Sequence, residues 1–502
     1  MVLMNKPLKR IRILKTGSLS TIALSLLLLT SCGTEEQVNP SANTNSAHDT
    51  KPEIRAVWVS VLAEGLKSSD EIEQLVATVR KANLNTIVAQ MHREGATMYP
   101  SEIQPRHASV RDRAGFDPLA TLIEKARDTS DGKAPLKVHA WFNSFKIGEQ
   151  TDYLKSTPRP IALHHPEWYT RNFANEVQYE LDPGVPAVHD HMIRVIEECL
   201  RNYDLDGVNL DFIRFFGNDR GYNPLALQRF REQTGISERP AADDDAWSQF
   251  RREQVSNFVK RCALSVWTIR PKAIFSVDAT GWGPAPIESF SETRPYKEAL
   301  QDWGGWVEKA WVDLVLRMGY KREWVEDQKQ EYRDWADYTV KLTDQVDGRM
   351  LTTGIGGHFN PQIDMLAQYR VALDHGLGTC LFSYDRPTQE GTESDGSLRG
   401  VNSPIWEILG TDIYPEKATS PVPDWRDMKS FIGGYLTDNS GNPVDTGTVS
   451  LTENGRTATT DGSGFFGFYA LEPGSYTLSA PGTSMDGKTV KTTAGQVSWI
   501  EL

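Results

Sequence analysis

Eight short β-rich runs, each separated from the next by a longer stretch, constrain this chain more than any other feature. They lie at residues 54–60, 85–91, 137–143, 207–211, 273–280, 312–318, 350–355 and 379–384. Between the first two, residues 69–82 carry Ile72, Leu75, Val76 and Val79 at helical spacing, and residues 117–127, 188–203 and 247–269 repeat that pattern. Regular strand–helix alternation predicts a parallel sheet. Eight such units over about 360 residues predict an α/β fold, a (β/α)8 TIM barrel with insertions. A doubly wound open sheet is the lesser alternative, and no GxGxxG follows the first run to support dinucleotide binding.

From residue 431 the helical periodicity stops. Short alternating runs at 448–452, 457–459, 464–469 and 475–479 are punctuated by Asn454-Gly455, Asp461-Gly462 and Pro473-Gly474. This predicts a small all-β sandwich. The expected division is a barrel over 53–410, a Pro-containing linker over 411–429 and the sandwich over 430–502.

The amino terminus reads as an address. Residues 5–15 are basic, Ile22–Leu29 is apolar, and Thr30 and Ser31 precede Cys32. A basic region, a short apolar core and small residues make a secretory signal over 1–31, too short to span a bilayer. Leu29-Thr30-Ser31-Cys32 resembles a bacterial lipobox, which implies lipidation of Cys32 and a membrane partner through that anchor. Two or more acyl chains suffice for stable anchoring. Gly33 follows where an aspartate would favour the inner membrane, so the expected place is the cell envelope, at the outer membrane. Residues 32–52 are expected to be a polar tether.

Net charge is −13, which disfavours a nucleic-acid partner held through phosphates. Cys199, Cys262 and Cys380 form no CxxC or Cys/His cluster and are expected to be buried, inert thiols. No metal and no cofactor is expected.

Period-two alternation sorts the strand residues into outward, helix-facing ones and inward ones. It puts Gln90 and His92, then His139, Trp141 and Asn143, then Asn209 and Asp211 inward. Ser276, Asp278 and Thr280 follow, and Arg317 is expected inward with Leu314, Leu316 and Met318 outward. Asp206, at the opening of its strand, reads as structural. Barrel cores favour branched apolar side chains, and buried polar groups are costly unless bonded or facing a solvated pocket. Five strands with polar residues near their carboxyl ends therefore predict a site there. Carboxylates beside aromatic platforms suit sugars, and glycosidases commonly use two carboxylates. No GxSxG elbow supports a serine nucleophile.

Several motifs carry a resemblance. They are Arg55-Ala-Val-Trp58, Gln90-Met-His-Arg-Glu-Gly-Ala-Thr-Met-Tyr99-Pro-Ser101, Val138-His-Ala-Trp-Phe-Asn143, Tyr203-Asp-Leu-Asp-Gly-Val-Asn-Leu-Asp-Phe-Ile-Arg214 and Met318-Gly-Tyr320. In that order they resemble the glycosyl-hydrolase-like family 10 proteins. Ile432-Gly-Gly-Tyr435, Asp461-Gly-Ser-Gly464 and Leu471-Glu-Pro-Gly474 resemble carboxypeptidase-regulatory-like modules. The first resemblance implies hydrolysis of a polysaccharide, including peptidoglycan strands stripped of stem peptides. The chain departs from the family at Ala96, at Gln104-Pro-Arg-His107, at Asp278 (where a small hydroxyl residue is usual) and at Arg317 (where proline is usual).

The expected reaction is glycoside hydrolysis by two carboxylates. Asp211 is the first, and Asp278 is preferred over Glu94 as the second. Gln90, His92, His139, Trp141, Asn143, Asn209, Arg214, Arg317 and Tyr320 are expected to bind substrate. Which acid donates the proton depends on whose pKa is raised. Two other readings stay open: a surface carbohydrate-binding lipoprotein with an inactive barrel, and a glycosidase for an exogenous polysaccharide.

Overall fold

Short runs of β-branched and aromatic residues, bounded by turns, form the eight strands of a barrel. They are β1 (Arg55–Val59), β2 (Thr86–Arg93), β3 (Lys137–Asn143), β4 (Gly207–Asp211), β5 (Ile274–Thr280), β6 (Leu314–Met318), β7 (Met350–Gly356) and β8 (Gly378–Phe382). The computed structural model describes residues 52–346, 348–392 and 399–500. The signal segment, Cys32 and nearly all of the tether lie outside them. Every neighbouring barrel pair is parallel, and β1 bonds to both β2 and β8, so the sheet closes on itself. Closure leaves no exposed edge.

The α-helices of six residues or more among the described residues are α1 (Ser69–Lys81), α2 (Pro118–Arg127), α3 (Pro186–Asn202), α4 (Pro224–Thr234), α5 (Asp245–Ile269), α6 (Trp303–Glu308), α7 (Glu326–Thr343) and α8 (Gln362–Asp374). Their ends follow local chemistry. Ser68 accepts from the Glu71 N–H at the start of α1. Asp117 accepts from the Leu119 and Ala120 N–H groups ahead of α2, with Pro118 in the first turn. Each satisfies donors that the first helical turn leaves free.

The core has two layers. Val57, Ile87, Ala89, Val138, Phe142, Val208, Leu210, Phe275 and Val277 pack outward against the helices. Inside the barrel lie Ala56, Trp58, Val88, Trp141, Ile274, Leu314, Leu316 and Cys380. Leu314 and Leu316 therefore face inward, contrary to the expectation from alternation. Arg317 faces outward instead, 5.8 Å and 5.7 Å from the rings of Tyr332 and Trp335 on α7. A strand buried on both faces is apolar throughout, so hydropathy does not fix its parity. Cys199, Cys262 and Cys380 are all buried.

The C-terminal strands are β9 (Ser430–Tyr435), β10 (Thr448–Leu451), β11 (Thr457–Thr459), β12 (Phe465–Leu471), β13 (Ser475–Ser479), β14 (Thr489–Lys491) and β15 (Val497–Ile500). They form two sheets, ordered β12-β9-β15 and β11-β10-β13-β14. Strand β9 contains Gly433 and Gly434, which weaken its β signal in the sequence. A Cβ at Gly433 would come within 2.8 Å of Trp499, and one at Gly434 within 2.6 Å of Phe466. The glycines let two large rings lie against the backbone.

The sandwich sits on α5. Phe431, Phe465 and Tyr469 belong to the same buried cluster as the barrel's outer layer. The Tyr469 hydroxyl donates to the Lys260 carbonyl at 2.7 Å, and the Trp499 indole donates to Thr268 at 2.7 Å. Just ahead of β9, Trp425 and Arg426 reach the amino-terminal end of the barrel. There Asp313, fully buried before β6, accepts from the indoles of Trp267 and Trp425, each at 3.0 Å. It also accepts from the Phe275 N–H at 2.8 Å, with the Arg426 guanidinium 3.0 Å away. Asp206 has a similar place before β4, accepting from the Val138 N–H and Lys137.

Candidate active site

The carboxyl ends of the strands open into a cavity of about 860 Å³. Trp58 from β1, Trp141 from β3, Asp211 from β4, Asp278 from β5, Met318 from β6 and Phe382 from β8 all line it. Each strand supplies its contribution from its last residues, because side chains nearer the start are packed in the interior. The size suits a small-molecule or oligosaccharide subsite.

Asp211 and Asp278 are both almost wholly buried yet line this cavity. Asp278 Oδ1 accepts from the Trp58 indole at 3.2 Å and from Asn209 Nδ2 at 3.1 Å. Burial, then the charge of Asp211, push the Asp278 pKa well above the usual carboxylate range. Both protein donors are on Oδ1, which leaves Oδ2 to carry a proton toward the cavity. Asp211 is also raised by burial, but Arg214, 3.6 Å away, and the Phe212 N–H at 2.6 Å pull it back toward ionisation. Two neighbouring carboxyls in unlike surroundings are the pattern in which one stays protonated while the other ionises.

Phe212 follows Asp211 with φ at 51°, in the left-handed region that a bulky residue rarely occupies. The turn brings its N–H onto Asp211 and its ring to 4.7 Å from the Arg214 guanidinium. Phe216 and Trp282 lie 5.6 Å from the same guanidinium. Arg214 Nε has no protein partner. Across the cavity, Trp58, Tyr320 and Phe382 form an edge-to-face group, with Trp58 6.2 Å from Tyr320 and 6.0 Å from Phe382. Lys321, paired with Glu331, and Arg93 add cationic rim.

Of the residues expected from sequence, Trp141, Asp211, Arg214, Asp278 and Tyr320 line the cavity. Gln90, Asn143 and Asn209 lie in a buried network beneath it. Gln90 donates to Asn143 Oδ1 at 3.1 Å and accepts from Ser60, while Asn209 reaches Asp278. These three support the floor and do not form its surface.

Four expectations need correction. His139 is buried deeper in the barrel, beside Gly207, where a Cβ would come within 2.6 Å of its ring; burial lowers its pKa to about 4. His92 leaves the inward register. A bulge in β2 pairs Gln90 with Trp141 but His92 with Phe142, so the histidine turns outward. Its Nδ1–H donates to the Asn143 carbonyl at 2.8 Å and its ring stacks on Phe142. Arg317 points to α7, as described. Glu94 sits on the turn after β2, half-exposed and paired with Arg93, outside the cavity lining. Trp58, Phe212, Trp282 and Phe382 were not among the expected site residues. Trp58 reads as an ordinary core residue in Arg55-Ala-Val-Trp58-Val, and only its position last but one in β1 hints otherwise.

Among the described residues no group of three or more His, Cys, Asp or Glu side chains is placed to hold a metal ion. The arrangement is suited to proton transfer between two carboxyls and a ligand held against aromatic faces.

Residues 53–356 match the family model described as glycosyl hydrolase-like 10, and residues 432–502 match that of the carboxypeptidase regulatory-like domain. Glycosyl hydrolase YngK of Bacillus subtilis (strain 168) is 28% identical over 436 residues, covering 78% of each chain. Glycosyl hydrolase DigH of Escherichia coli (strain K12) is 23% identical over 350 residues, 62% of this chain and 76% of its own length. Among solved structures, the catalytic domain of β-amylase from Paenibacillus polymyxa superimposes with a TM-score of 0.50 at 10% identity, covering 72% of this chain and 98% of that one. At that identity the likeness concerns the fold alone.

Proposed function

The chain belongs to the glycosyl hydrolase-like 10 family, and from that premise we propose that its barrel mouth hydrolyses glycosidic bonds of a polysaccharide. Asp278 is the proton donor. It protonates the leaving oxygen through Oδ2 while Trp58 and Asn209 hold Oδ1. Asp211, kept toward its ionised form by Arg214 and the Phe212 N–H, acts on the anomeric side as nucleophile or as base for water. Tyr320, Trp282 and Phe382, part-exposed at the cavity, provide faces for pyranose C–H surfaces above the buried Trp58 and Trp141, and Arg214 offers a cation to an acidic or N-acetylated sugar. The observation that carries this reading is the pair of buried, unequally supported carboxyls opening on one cavity.

Peptidoglycan glycan strands are the first substrate to test. The resemblance stated above and the lipobox at Cys32 both fit an enzyme held in the cell envelope, at the outer membrane. The protein is incubated with denuded peptidoglycan strands and with a panel of plant and marine polysaccharides, and products are read by mass spectrometry. Cleavage by the wild type, abolished in Asp211→Asn and cut about 10²- to 10⁴-fold in Asp278→Asn with glycan binding retained, is the expected result. A wild type that binds glycans and cleaves no member of the panel would replace this reading with that of a surface carbohydrate-binding lipoprotein.

A further inference from the structure

A second cavity, of about 480 Å³, lies where the sandwich meets α5 and α6, and shares no lining residue with the barrel mouth. Its barrel wall carries Arg252 and Lys260 of α5, with Lys309 and Trp311 just after α6. Its other wall is the sandwich, including Thr459 of the edge strand β11 and β12 from Phe465 to Tyr469.

The chemistry of this cleft is unlike its surroundings. The ammonium groups of Lys260 and Lys309 each lie 5.0 Å from the Trp311 ring. Among the described residues neither has an ion-pair partner within contact distance. Burial lowers the Lys260 pKa to about 8, with Glu253 and Asp461 opposing the shift and Lys309 adding to it. Arg252 is only 9% exposed, and its Nε has no hydrogen-bond partner. Its guanidinium lies 3.9 Å from the Tyr296 ring, which holds it in place beside the cavity. Three acids share these walls: Asp445 pairs with Arg229 at 2.8 Å through one oxygen, Asp302 caps the Gly305 N–H, and Glu253 accepts from Gln249 at 2.7 Å. Buried Arg252 and half-buried Lys260, with the exposed Lys309 at the rim, therefore gather in a chain whose net charge is −13. Buried or half-buried cations without partners are costly unless a ligand supplies the counter-charge. Amide and hydroxyl groups on the same walls, Asn257 and Thr459 among them, suit a ligand rich in hydroxyls.

We propose that this cleft is a second saccharide-binding site, one that takes an anionic glycan and seats its acid groups on Lys260 and Lys309. It would hold a polymer on the same compact unit as the barrel mouth, so that, given the hydrolase reading above, the two sites act on one chain by effective concentration. Carboxylated and sulfated sugars share the required chemistry.

The test is calorimetric titration of the full chain carrying Asp211→Asn, which prevents turnover. The probes are oligogalacturonate, a sulfated oligosaccharide of similar length, a neutral dextran oligosaccharide and inorganic phosphate. Binding of at least one anionic oligosaccharide, weakened 10-fold or more by Lys260→Gln/Lys309→Gln and by added salt, is expected. The carboxylated and sulfated arms decide which acid group is preferred. The proposal is overturned if neither anionic probe binds, if the lysine variant binds as well as its parent, or if phosphate binds as tightly as the oligosaccharides. It is also overturned if affinity is lost in Arg214→Gln, at the barrel mouth, and kept in the lysine variant. Should that variant misfold by circular dichroism, the parent is reductively methylated with and without the probe. Protection of Lys260 then sustains the site, and equal labelling refutes it.

Discussion

Asp278 and Asp313 stand at opposite ends of the barrel, on neighbouring strands, and both are buried. Asp313, at the amino end, has both oxygens occupied by three N–H donors, with an arginine alongside. Asp278, toward the carboxyl end, receives two donors on one oxygen and keeps the other for the cavity. Burial raises the pKa of each. At Asp313 the opposing influence is a cation and a full set of donors, whereas at Asp278 a second carboxylate adds to the rise. One fold thus spends the same side chain as a fastener below and as a reactive group above, and the number of unfilled lone pairs tells which.

Three substitutions, read in four measurements, break or sharpen this contrast. The largest effect is expected of Asp278→Asn on turnover. Loss of a positioned proton donor costs about 10²- to 10⁴-fold in kcat, and steady-state assays on the cleaved glycan measure it. Near-normal turnover in this variant would remove Asp278 from the mechanism. Next comes Asp313→Asn, which leaves Arg426 buried without its counter-ion. Breaking a buried pair in this way costs about 3–5 kcal/mol, read by urea denaturation, while kcat per folded molecule stays the same. Wild-type stability would mean that the fastener is dispensable.

The third effect is the pH dependence of stability that Asp278 carries. A carboxyl whose folded pKa is raised contributes its full stability below the ordinary carboxylate pKa. That contribution is lost as pH climbs from there to the folded value. Asp278→Asn therefore gains on the wild type with rising pH, by up to about 1.4 kcal/mol per pH unit across that window. Melting temperatures of both proteins across pH 4 to 8 check it, and parallel curves would contradict the raised pKa. The smallest effect is Trp58→Phe. It removes one donor that favours the ionised form, so the alkaline limb of the kcat profile moves upward in pH. Activity near neutrality changes only a few-fold, because the bond lost is one to a neutral carboxyl, with a net worth of about 1 kcal/mol. A downward shift would place Trp58 in another role.

Much of this was readable in the residues, and the failures have physical causes. The bounds of β3 and β4 are legible in the sequence because alternation between apolar and polar residues is clean there: Val138, Ala140 and Phe142 against His139, Trp141 and Asn143. Strand β6 is apolar on both faces, so nothing in Leu314-Val-Leu-Arg-Met318 marks Arg317 as the outward one. In β2 the pattern is sound up to Gln90, and one extra residue then reverses the sense for His92. Carboxylates near strand ends are visible from sequence. The partners that make them unequal are not, because Trp58 lies 220 positions from Asp278 along the chain.

The shared apolar seam between the two halves has a consequence for engineering. Phe431, Phe465 and Tyr469 are buried together with the barrel's outer layer, and Trp425 is tied to Asp313 beneath it. Cutting the chain after residue 429 would strip Phe431, Phe465 and Tyr469 from their seats and leave a greasy scar along α5. The terminal module is thus no detachable cartridge: swapping it between relatives demands that the helix it rests on be swapped too.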